Sequence, residues 1–506
     1  MSHIPETQSH KIINLISGIK GDAVALTAGV LAVFSFAPFD IFPLSFLALF
    51  LLFISWSGIT PGRAFRRGFL FGTGMFGVGV YWVHISIHEF GNTGFIPAVL
   101  LTFLLVMYRA CYPALLGYVF ARFCKQASGL SPVFFLASGW ALIEWMRAWI
   151  MTGFPWLNLG YAQLNSWLAG YAPVIGVYGV GFIIAMTGAL LAGLLWGNKK
   201  QNITSLILLV TIWLGGFVLN MQSWSTPDGE PIKVAMLQGN IGQEMKWRPE
   251  KRQATFSLYE KLTLENLDQD LIIWPETAIP ALYHQVADQF LERIRQVAQK
   301  TNTDLLIGIP YMDQGTQKYY NSMVALGETT DFYHKRHLVP FGEFIPFKSV
   351  IGSVLDILQI PMSDFSSGEQ EKPILTIANN KAGISICYED AFGEEVIDAL
   401  PEASLLVNVS NDAWFGDSLA PHQHLQIARM RALETGRPML RATNTGISAI
   451  IDERGNITST SPQFKLHVLK SIVQPMQGET PYVKWGNWFI IILSLALLGL
   501  IRLREK

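Results

Sequence analysis

The sequence predicts a membrane-embedded bundle of eight helices joined to an α/β domain outside the membrane. Half of the 506 residues are hydrophobic and only 15% are charged, which is too apolar for an ordinary soluble protein. The apolar residues are also unevenly distributed: long runs fill the first 220 residues, and one more run follows residue 485. The stretch between them, residues 221–485, has an ordinary globular composition with alternating strand and helix patterns.

The eight apolar runs are the predicted membrane helices. Most of them reach or approach the ~20 residues that a helix needs to cross a bilayer. The runs cover residues 24–39, 41–56, 68–86, 95–120, 132–151, 167–196, 203–219 and 486–501. We therefore predict a membrane domain with seven transmembrane helices at 1–220, a globular domain at 221–485, and an eighth transmembrane helix with a short tail at 486–506.

Basic residues in the short loops predict the orientation of these helices. The loops on the side of the N-terminus carry Lys or Arg, whereas the opposite short loops carry almost none. The basic positions are Lys11, Lys20, Arg63, Arg66, Arg67, Arg122, Lys125, Lys199, Lys200, Arg502, Arg504 and Lys506. The positive-inside rule then places both termini in the cytoplasm and residues 221–485 on the outer face of the membrane.

Polar and small residues within the membrane part indicate how it packs. Glu144 and Arg147 lie three residues apart, so they share one helix face and are expected to pair with each other. The glycines of residues 71–80 favour close packing between helices. The aromatic loop at 152–163 is expected to anchor at the membrane interface and to contact a lipid-facing site.

Composition also excludes several classes of protein. A net charge of −1 and the lack of a basic stripe argue against nucleic-acid binding. Three cysteines without paired spacing argue against a disulfide framework or a Cys-rich zinc site. His422 and His424 are poorly spaced for one metal ion and are expected to be structural or capping residues. The sequence therefore predicts neither a metal nor a cofactor.

The globular domain is predicted to contain a β-sheet covered by helices. Apolar, β-branched runs such as 232–238 and 382–387 alternate with helical patterns such as 250–267 and 283–300. In folds of this type, active groups collect at the carboxyl ends of the strands. Three polar residues stand at such ends: Glu276, Lys335 and Cys387.

Together these three side chains could carry out nucleophilic catalysis. Cys387 would be the nucleophile, Glu276 the general base, and Lys335 a cation for a developing oxyanion. The backbone N–H of Tyr388 could be a second donor to that oxyanion. Taken singly, a cysteine at a strand end is more often an inert buried residue, so the combination carries the prediction.

The motifs around these residues resemble those of a known family. Residues 274–280 (WPETAIP), 334–346 (HKRHLVPFGEFIP), 383–390 (GISICYED), 408–418 (NVSNDAWFGDS) and 424–446 resemble bacterial apolipoprotein N-acyltransferase, within the nitrilase (carbon–nitrogen hydrolase) superfamily. The resemblance extends to the membrane segments 86–94 and 144–163. It implies that the outer domain is a nitrilase-like αββα sandwich with a Glu–Lys–Cys triad.

The resemblance also implies roles for individual residues. Glu276 would be the base, Lys335 the oxyanion stabiliser and Cys387 the nucleophile that becomes an acyl-thioester. Glu343 would be an accessory carboxylate, Tyr388 and Glu389 would shape the site, and Trp247 would lie on a mobile arm: these four are the accessory residues of the prediction.

The family further implies a lipid substrate and a location. The acyl donor would be a phospholipid, typically phosphatidylethanolamine, and the acceptor the N-terminal amine of an S-diacylglyceryl-cysteine lipoprotein. The enzyme would be a multi-pass protein of the bacterial inner membrane with a periplasmic catalytic domain. The composition of the apolar segment 344–362 suits a lid that dips towards lipid and excludes water from the thioester, and it also suits ordinary loop packing.

Two other hypotheses remain open at the level of sequence. A membrane-anchored amidase or nitrilase that hydrolyses a small periplasmic amide would share the triad, although it would not need eight spans. A transporter or membrane scaffold with an inert outer domain would share the helices. The spans, however, lack the matching broken-helix repeats and the intramembrane ionisable series typical of transporters.

Overall fold

The computed structural model describes residues 17–91, 93–124, 129–195, 197–345 and 364–504. These residues form two compact units. The first contains the described residues up to Tyr81, then Val99–Gln222 and the chain from Lys484. The second contains Trp82–Ala98 and Ser223–Val483. Most of the predicted lid at 344–362 lies outside the described residues.

The long helices of the first unit lie in the eight apolar runs. They are α1 (Gly18–Val33), α2 (Pro43–Ser55), α3 (Pro61–Gly79), α4 (Phe95–Phe123), α5 (Ser131–Met146), α6 (Ala172–Gly193), α7 (Lys199–Asn220) and α8 (Trp488–Arg504). Glycines allow close approach between them, as predicted. A Cβ at Gly74 would lie 2.4 Å from the carbonyl oxygen of Leu26, and one at Gly72 would lie 2.5 Å from Cα of Ala110.

Length and composition identify three membrane-spanning candidates among the described residues. These are Phe95–Phe123, Trp167–Gly193 and Lys199–Asn220, with a fourth if Pro61–Gly79 and Val83–Phe90, bent by 58°, form one span. The remaining helices have 13 to 17 residues, or roughly 20–26 Å at 1.5 Å per residue, which is less than a typical hydrocarbon core. The structure thus has apolar helices suited to a membrane without establishing eight spans.

The polar features of the first unit are partly as predicted. Arg147 Nη2 lies 3.6 Å from Glu144 Oε1, which confirms the pair. The aromatic loop after them is different from the expected interfacial anchor, because Trp156 and Tyr161 are buried within the unit. The Glu144 carboxylate accepts a hydrogen bond from Leu159 N at 2.8 Å, which ties this loop to the helix that carries the ion pair.

The second unit is built on two six-stranded sheets. The strands are β1 (Ser225–Pro227), β2 (Ile232–Gln238), β3 (Leu271–Ile273), β4 (Asp304–Met312), β5 (Tyr319–Leu326), β6 (Thr330–His334), β7 (Ile374–Ile377), β8 (Asn380–Ile386), β9 (Leu405–Ser410), β10 (Met439–Thr443), β11 (Ala449–Ile451), β12 (Ile457–Thr460), β13 (His467–Val473) and β14 (Met476–Gly478). One sheet has the order β13-β2-β3-β4-β5-β6 and the other β12-β11-β10-β9-β8-β7, while β1 pairs with β14.

The two sheets pack face to face and helices cover their outer sides. A shared apolar core joins residues of both sheets, including Val234 and Ile273 from one and Ile384 and Val407 from the other. On the outer sides the covering helices are α9 (Pro249–Leu264) and α10 (Glu292–Gln299) on the first sheet and α11 (Ala420–Thr435) on the second. The domain therefore has the four layers, helix, sheet, sheet and helix, that the family resemblance implies.

Strand direction brings the predicted triad to the carboxyl ends of the strands. β3 and β4 are parallel, and β5 and β6 then reverse direction twice, so β6 ends at the same edge as β3. Glu276 follows β3 and Lys335 directly follows β6. In the second sheet β8, β9 and β10 are parallel, and Cys387 directly follows β8.

A close backbone contact fixes the turn that carries Glu276. A Cβ at Gly308 of β4 would lie 2.2 Å from the carbonyl oxygen of Pro275 and 2.8 Å from Cα of Glu276.

Gly308→Ala should therefore displace this turn and destabilise the protein by about 1–3 kcal/mol, measured as a lower melting temperature in detergent. Gly315→Ala is the control, because its nearest neighbour would be a side-chain oxygen at 3.3 Å. Equal melting temperatures for the two variants would contradict the argument.

Candidate active site

Lys335 is a buried ammonium held between two carboxylates. Its side chain is 1% exposed, and Nζ lies 2.8 Å from Glu343 Oε2 and 3.9 Å from Glu276 Oε1. Burial disfavours the ammonium ion, but the charges of Glu343 and Glu276 outweigh burial and raise the pKa of Lys335. The two carboxylates therefore favour the ammonium form of Lys335.

Asn321 connects the two carboxylates. Its side-chain Nδ2 donates to Glu276 Oε1 at 2.7 Å and to Glu343 Oε1 at 3.0 Å. Its main-chain carbonyl oxygen accepts a hydrogen bond from the main-chain N–H of Lys335 at 2.8 Å. Asn321 was not among the residues predicted from the sequence, although it stands as an amide near the start of strand β5.

Cys387 lies at the point where β8 turns into a short 3₁₀ helix, Cys387–Ala391. Its φ of +53° is a conformation that residues with a Cβ rarely adopt, at a cost of about 1–3 kcal/mol. Burial, with the negative charge of Glu276, raises the pKa of the thiol, and Lys335 acts in the opposite direction. Burial and Glu276 thus favour the neutral thiol of Cys387 over its thiolate.

Glu389 ties the segment of Lys335 to the turn of Cys387. Its Oε1 accepts hydrogen bonds from Tyr333 Oη at 2.8 Å, Arg336 N at 2.6 Å and His337 N at 3.1 Å. Its Oε2 accepts from Ile386 N at 2.7 Å. The side chain is 3% exposed, and burial raises its pKa against the opposing effect of Lys335. Glu389 therefore joins the chain segment of Lys335 to the turn that carries Cys387.

Tyr388 and Trp247 are placed differently from each other. Tyr388 is buried, and its ring packs edge-on against His337 and Phe392. Trp247 follows the short helix Gln243–Lys246 and its ring is 38% exposed. The neighbouring Lys246 is buried and its Nζ donates to the carbonyl oxygen of Glu276 at 3.2 Å. Burial lowers the pKa of Lys246 to about 8, while Glu276 opposes this shift.

The structure therefore brings most of the predicted site together. Glu276, Lys335 and Glu343 form one ion cluster, and its charges act on the Cys387 thiol. Glu389 and Tyr388 flank that thiol, and the exposed Trp247 is linked to Glu276 through Lys246. Within the described residues, no group of three or more His, Cys, Asp or Glu side chains has a geometry that could hold a metal ion.

Two family models match the chain, one in each part. The model for the apolipoprotein N-acyltransferase N-terminal domain matches residues 28–190. The carbon-nitrogen hydrolase model matches residues 233–482. The two-sheet unit thus has the nitrilase-like carbon–nitrogen hydrolase fold.

Curated relatives match almost the whole chain. A protein of Methylococcus capsulatus is 44% identical over 96% of this chain and 97% of its own length, and is named apolipoprotein N-acyltransferase. A protein of Nitrosomonas europaea with the same name is 46% identical over 95% of each chain. Among solved structures, Nit3 of Saccharomyces cerevisiae, a nitrilase-superfamily member, covers 49% of this chain and 93% of its own, with 19% identity and a TM-score of 0.37.

The charges around Cys387 predict opposite effects of two substitutions. Glu276→Gln removes a charge that raises the thiol pKa, whereas Lys335→Met removes one that lowers it. The pH profile of Cys387 alkylation by iodoacetamide should therefore move to lower pH in the first variant and to higher pH in the second, each by roughly 1–3 pH units. The measurement uses a background in which Cys111 and Cys124 are replaced by Ser, with the exposed Lys318→Met as control. Shifts in the same direction would contradict the assignment.

Proposed function

The chain belongs to the apolipoprotein N-acyltransferase family, and we propose that it moves a fatty acyl chain from a phospholipid to the amino terminus of a lipoprotein through Cys387. The observation that supports Cys387 as the carrier is the ion cluster of Glu276, Lys335 and Glu343 at the strand ends beside it. A nucleophile, a proton acceptor and a fixed cation are what an acyl transfer of this type requires.

The first half-reaction forms a thioester. Cys387 Sγ attacks the ester carbonyl of the phospholipid while Glu276 takes the thiol proton. Lys335 Nζ and the backbone N–H of Tyr388 stabilise the negative oxygen of the tetrahedral intermediate. The ester C–O bond then breaks, the lysophospholipid takes the proton from Glu276, and the acyl chain remains on sulfur.

The second half-reaction returns the enzyme to its starting state. The N-terminal amine of the diacylglyceryl-cysteine attacks the thioester carbonyl and passes a proton to Glu276. The C–S bond breaks, and the sulfur recovers that proton as the amide product leaves. Glu276 therefore moves one proton in each half-reaction, while Lys335, pinned by Glu343, keeps its charge throughout.

The location of the reaction follows from the helices and the loop charges. We propose eight transmembrane helices, of which three have the length and composition of full spans by themselves. The Lys and Arg residues of the short loops support a cytoplasmic location for both termini. The catalytic domain would then lie on the periplasmic face of the inner membrane, where phosphatidylethanolamine would be the donor.

Trapping of the acyl-enzyme tests the proposed carrier. Purified protein mixed with phosphatidylethanolamine vesicles should gain the mass of one fatty acyl chain on Cys387, and hydroxylamine should remove it because it is a thioester. Cys387→Ser should lower acyl transfer at least about 1,000-fold, since the nucleophile is lost. Cys124→Ser is the matched control and should retain activity, because this cysteine lies in the first unit. Acyl transfer by the Cys387→Ser protein would rule out Cys387 as the acyl carrier. Repeating the reaction with phosphatidylglycerol vesicles compares the two headgroups as acyl donors.

Labelling of single cysteines tests the proposed orientation. In a variant with all three native cysteines replaced by Ser, Gln314→Cys places a thiol in an exposed turn of the catalytic domain, and Lys200→Cys places one at the start of α7. A membrane-impermeant maleimide added to intact spheroplasts should label the first and reach the second only after lysis. The reverse pattern would place the catalytic domain in the cytoplasm.

A further inference from the structure

We propose that His424 is a positioning residue for acyl transfer. It would be an imidazolium ion that orients the peptide bond following Cys387 and that, together with Arg441, balances the charges of the buried carboxylates Asp390 and Asp412. The inference rests on the proposed function of Cys387 and concerns the same site. From the sequence alone, this histidine is expected to be a structural or capping residue. Helix α11 begins at Ala420, four residues before His424, so its ring does not cap the helix.

The imidazole ring contacts three hydrogen-bond acceptors. Nε2 lies 2.9 Å from Asp390 Oδ1 and 3.2 Å from the carbonyl oxygen of Cys387. Nδ1 lies 3.2 Å from Asp412 Oδ1. The carbonyl oxygen is an acceptor in all conditions, and carboxylates accept when ionised. Each ring nitrogen therefore needs its own proton to satisfy its partners, and a ring with both protons is the imidazolium ion.

The surrounding charges favour the same state. Burial and the nearby Arg441 disfavour the imidazolium, but Asp390 and Asp412 outweigh them and raise the pKa of His424. Burial also disfavours the Asp412 carboxylate, whose pKa is nevertheless lowered by Arg441 and His424. Both effects point to an ion pair between the ring and Asp412.

The buried cluster is neutral only when His424 is charged. Arg441 Nη1 lies 3.4 Å from Asp390 Oδ2, and Nη2 lies 3.2 Å from Asp412 Oδ2. These four side chains come from α11, from β10 and from the turns after β8 and β9, and each is at most 2% exposed. Two positive and two negative charges balance. Loss of the imidazolium proton would leave a net negative charge close to the thiol, where Asp412 already opposes ionisation.

The contact with the Cys387 carbonyl reaches the reaction through the peptide plane. Cys387 O accepts from His424 Nε2 and, at 3.1 Å, from Asn408 Nδ2. The bond between Cys387 and Tyr388 is trans, so its N–H points away from this carbonyl within one rigid plane. Holding the carbonyl therefore aims the Tyr388 N–H, the donor proposed for the oxyanion. The same contacts hold Cys387 at its unusual φ of +53°.

The first test replaces the ring by a neutral amide. His424→Gln keeps a donor but removes the positive charge, so the pH profile of Cys387 alkylation by iodoacetamide should move to higher pH. Single-turnover acylation by phosphatidylethanolamine vesicles should slow by about 100-fold, as expected when the reacting groups are misaligned, with little change in the lipid concentration at half-maximal rate. The exposed His284→Gln is the control for a histidine away from the site. A normal acylation rate and an unchanged profile in His424→Gln would overturn the proposal.

Substitution of Asp412 tests the charge balance. Asp412→Asn alone removes a negative charge and should move the alkylation profile to lower pH. The double variant His424→Gln/Asp412→Asn restores neutrality and should bring the profile back towards that of the unmodified protein, which loss of packing alone would not do. If His424→Gln does not fold, the double variant still decides the matter: a profile close to that of the unmodified protein supports the imidazolium, and a profile at clearly lower pH overturns the inference.

Alkylation also separates this inference from the proposed function. Iodoacetamide reacts with Cys387 without any lipid, so the profiles can be measured whether or not the protein acylates. Absence of a thioester in the unmodified protein would refute the proposed function. A normal thioester in His424→Gln, formed at the normal rate, would refute only the role of His424.

Discussion

The active site depends on one buried positive charge. Lys335 is 1% exposed and would be strongly disfavoured as an ammonium ion without the carboxylates of Glu343 and Glu276. Removal of one partner from a buried ion pair typically costs about 3–5 kcal/mol, so the three residues must be placed together or not at all. Asn321 bridges both carboxylates, and Glu389 fixes the segment that carries Lys335 against the turn of Cys387. Glu343 thus holds Lys335 at 2.8 Å, and Glu276, at 3.9 Å, would be available for its proposed role as the base.

The nitrilase-like fold makes this arrangement possible by strand direction. Glu276 and Lys335 share an edge because β3 and β6 run the same way, and Cys387 comes from the parallel strands of the facing sheet. Lys335 and Cys387 directly follow strands, and Glu276 lies three residues beyond β3. Hydrogen bonds to neighbouring strands fix the main chain of these strands, so the rigid part of the domain positions the site. Charges on both sides of Cys387 then act on the thiol: Glu276 and Asp412 oppose its ionisation, and Lys335 favours it.

Much of the fold and of the candidate site could be predicted from the sequence, because apolar runs and strand-end polar residues are local signals. Glu276, Lys335 and Cys387 were predicted in this way, and the Glu144–Arg147 pair followed from helical spacing. Contacts set by long-range packing left no such signal. His424 meets Asp390 and Asp412 only when the ends of two strands and a helix are assembled, and its spacing from His422 indicated nothing. The burial of the loop that carries Trp156 was not predicted for a similar reason. An aromatic-rich sequence is compatible both with a membrane interface and with a protein core.

The central claim is that the acyl chain on Cys387 is the one delivered to the amine. The most direct measurement isolates the enzyme acylated with a labelled chain, removes free phospholipid, and adds a synthetic diacylglyceryl-cysteine peptide. The label should move from Cys387 to the peptide N-terminus at least as fast as overall turnover, with one label transferred for each thioester lost. Release of the label as free fatty acid, or acylation of the peptide while the thioester stays intact, would contradict it.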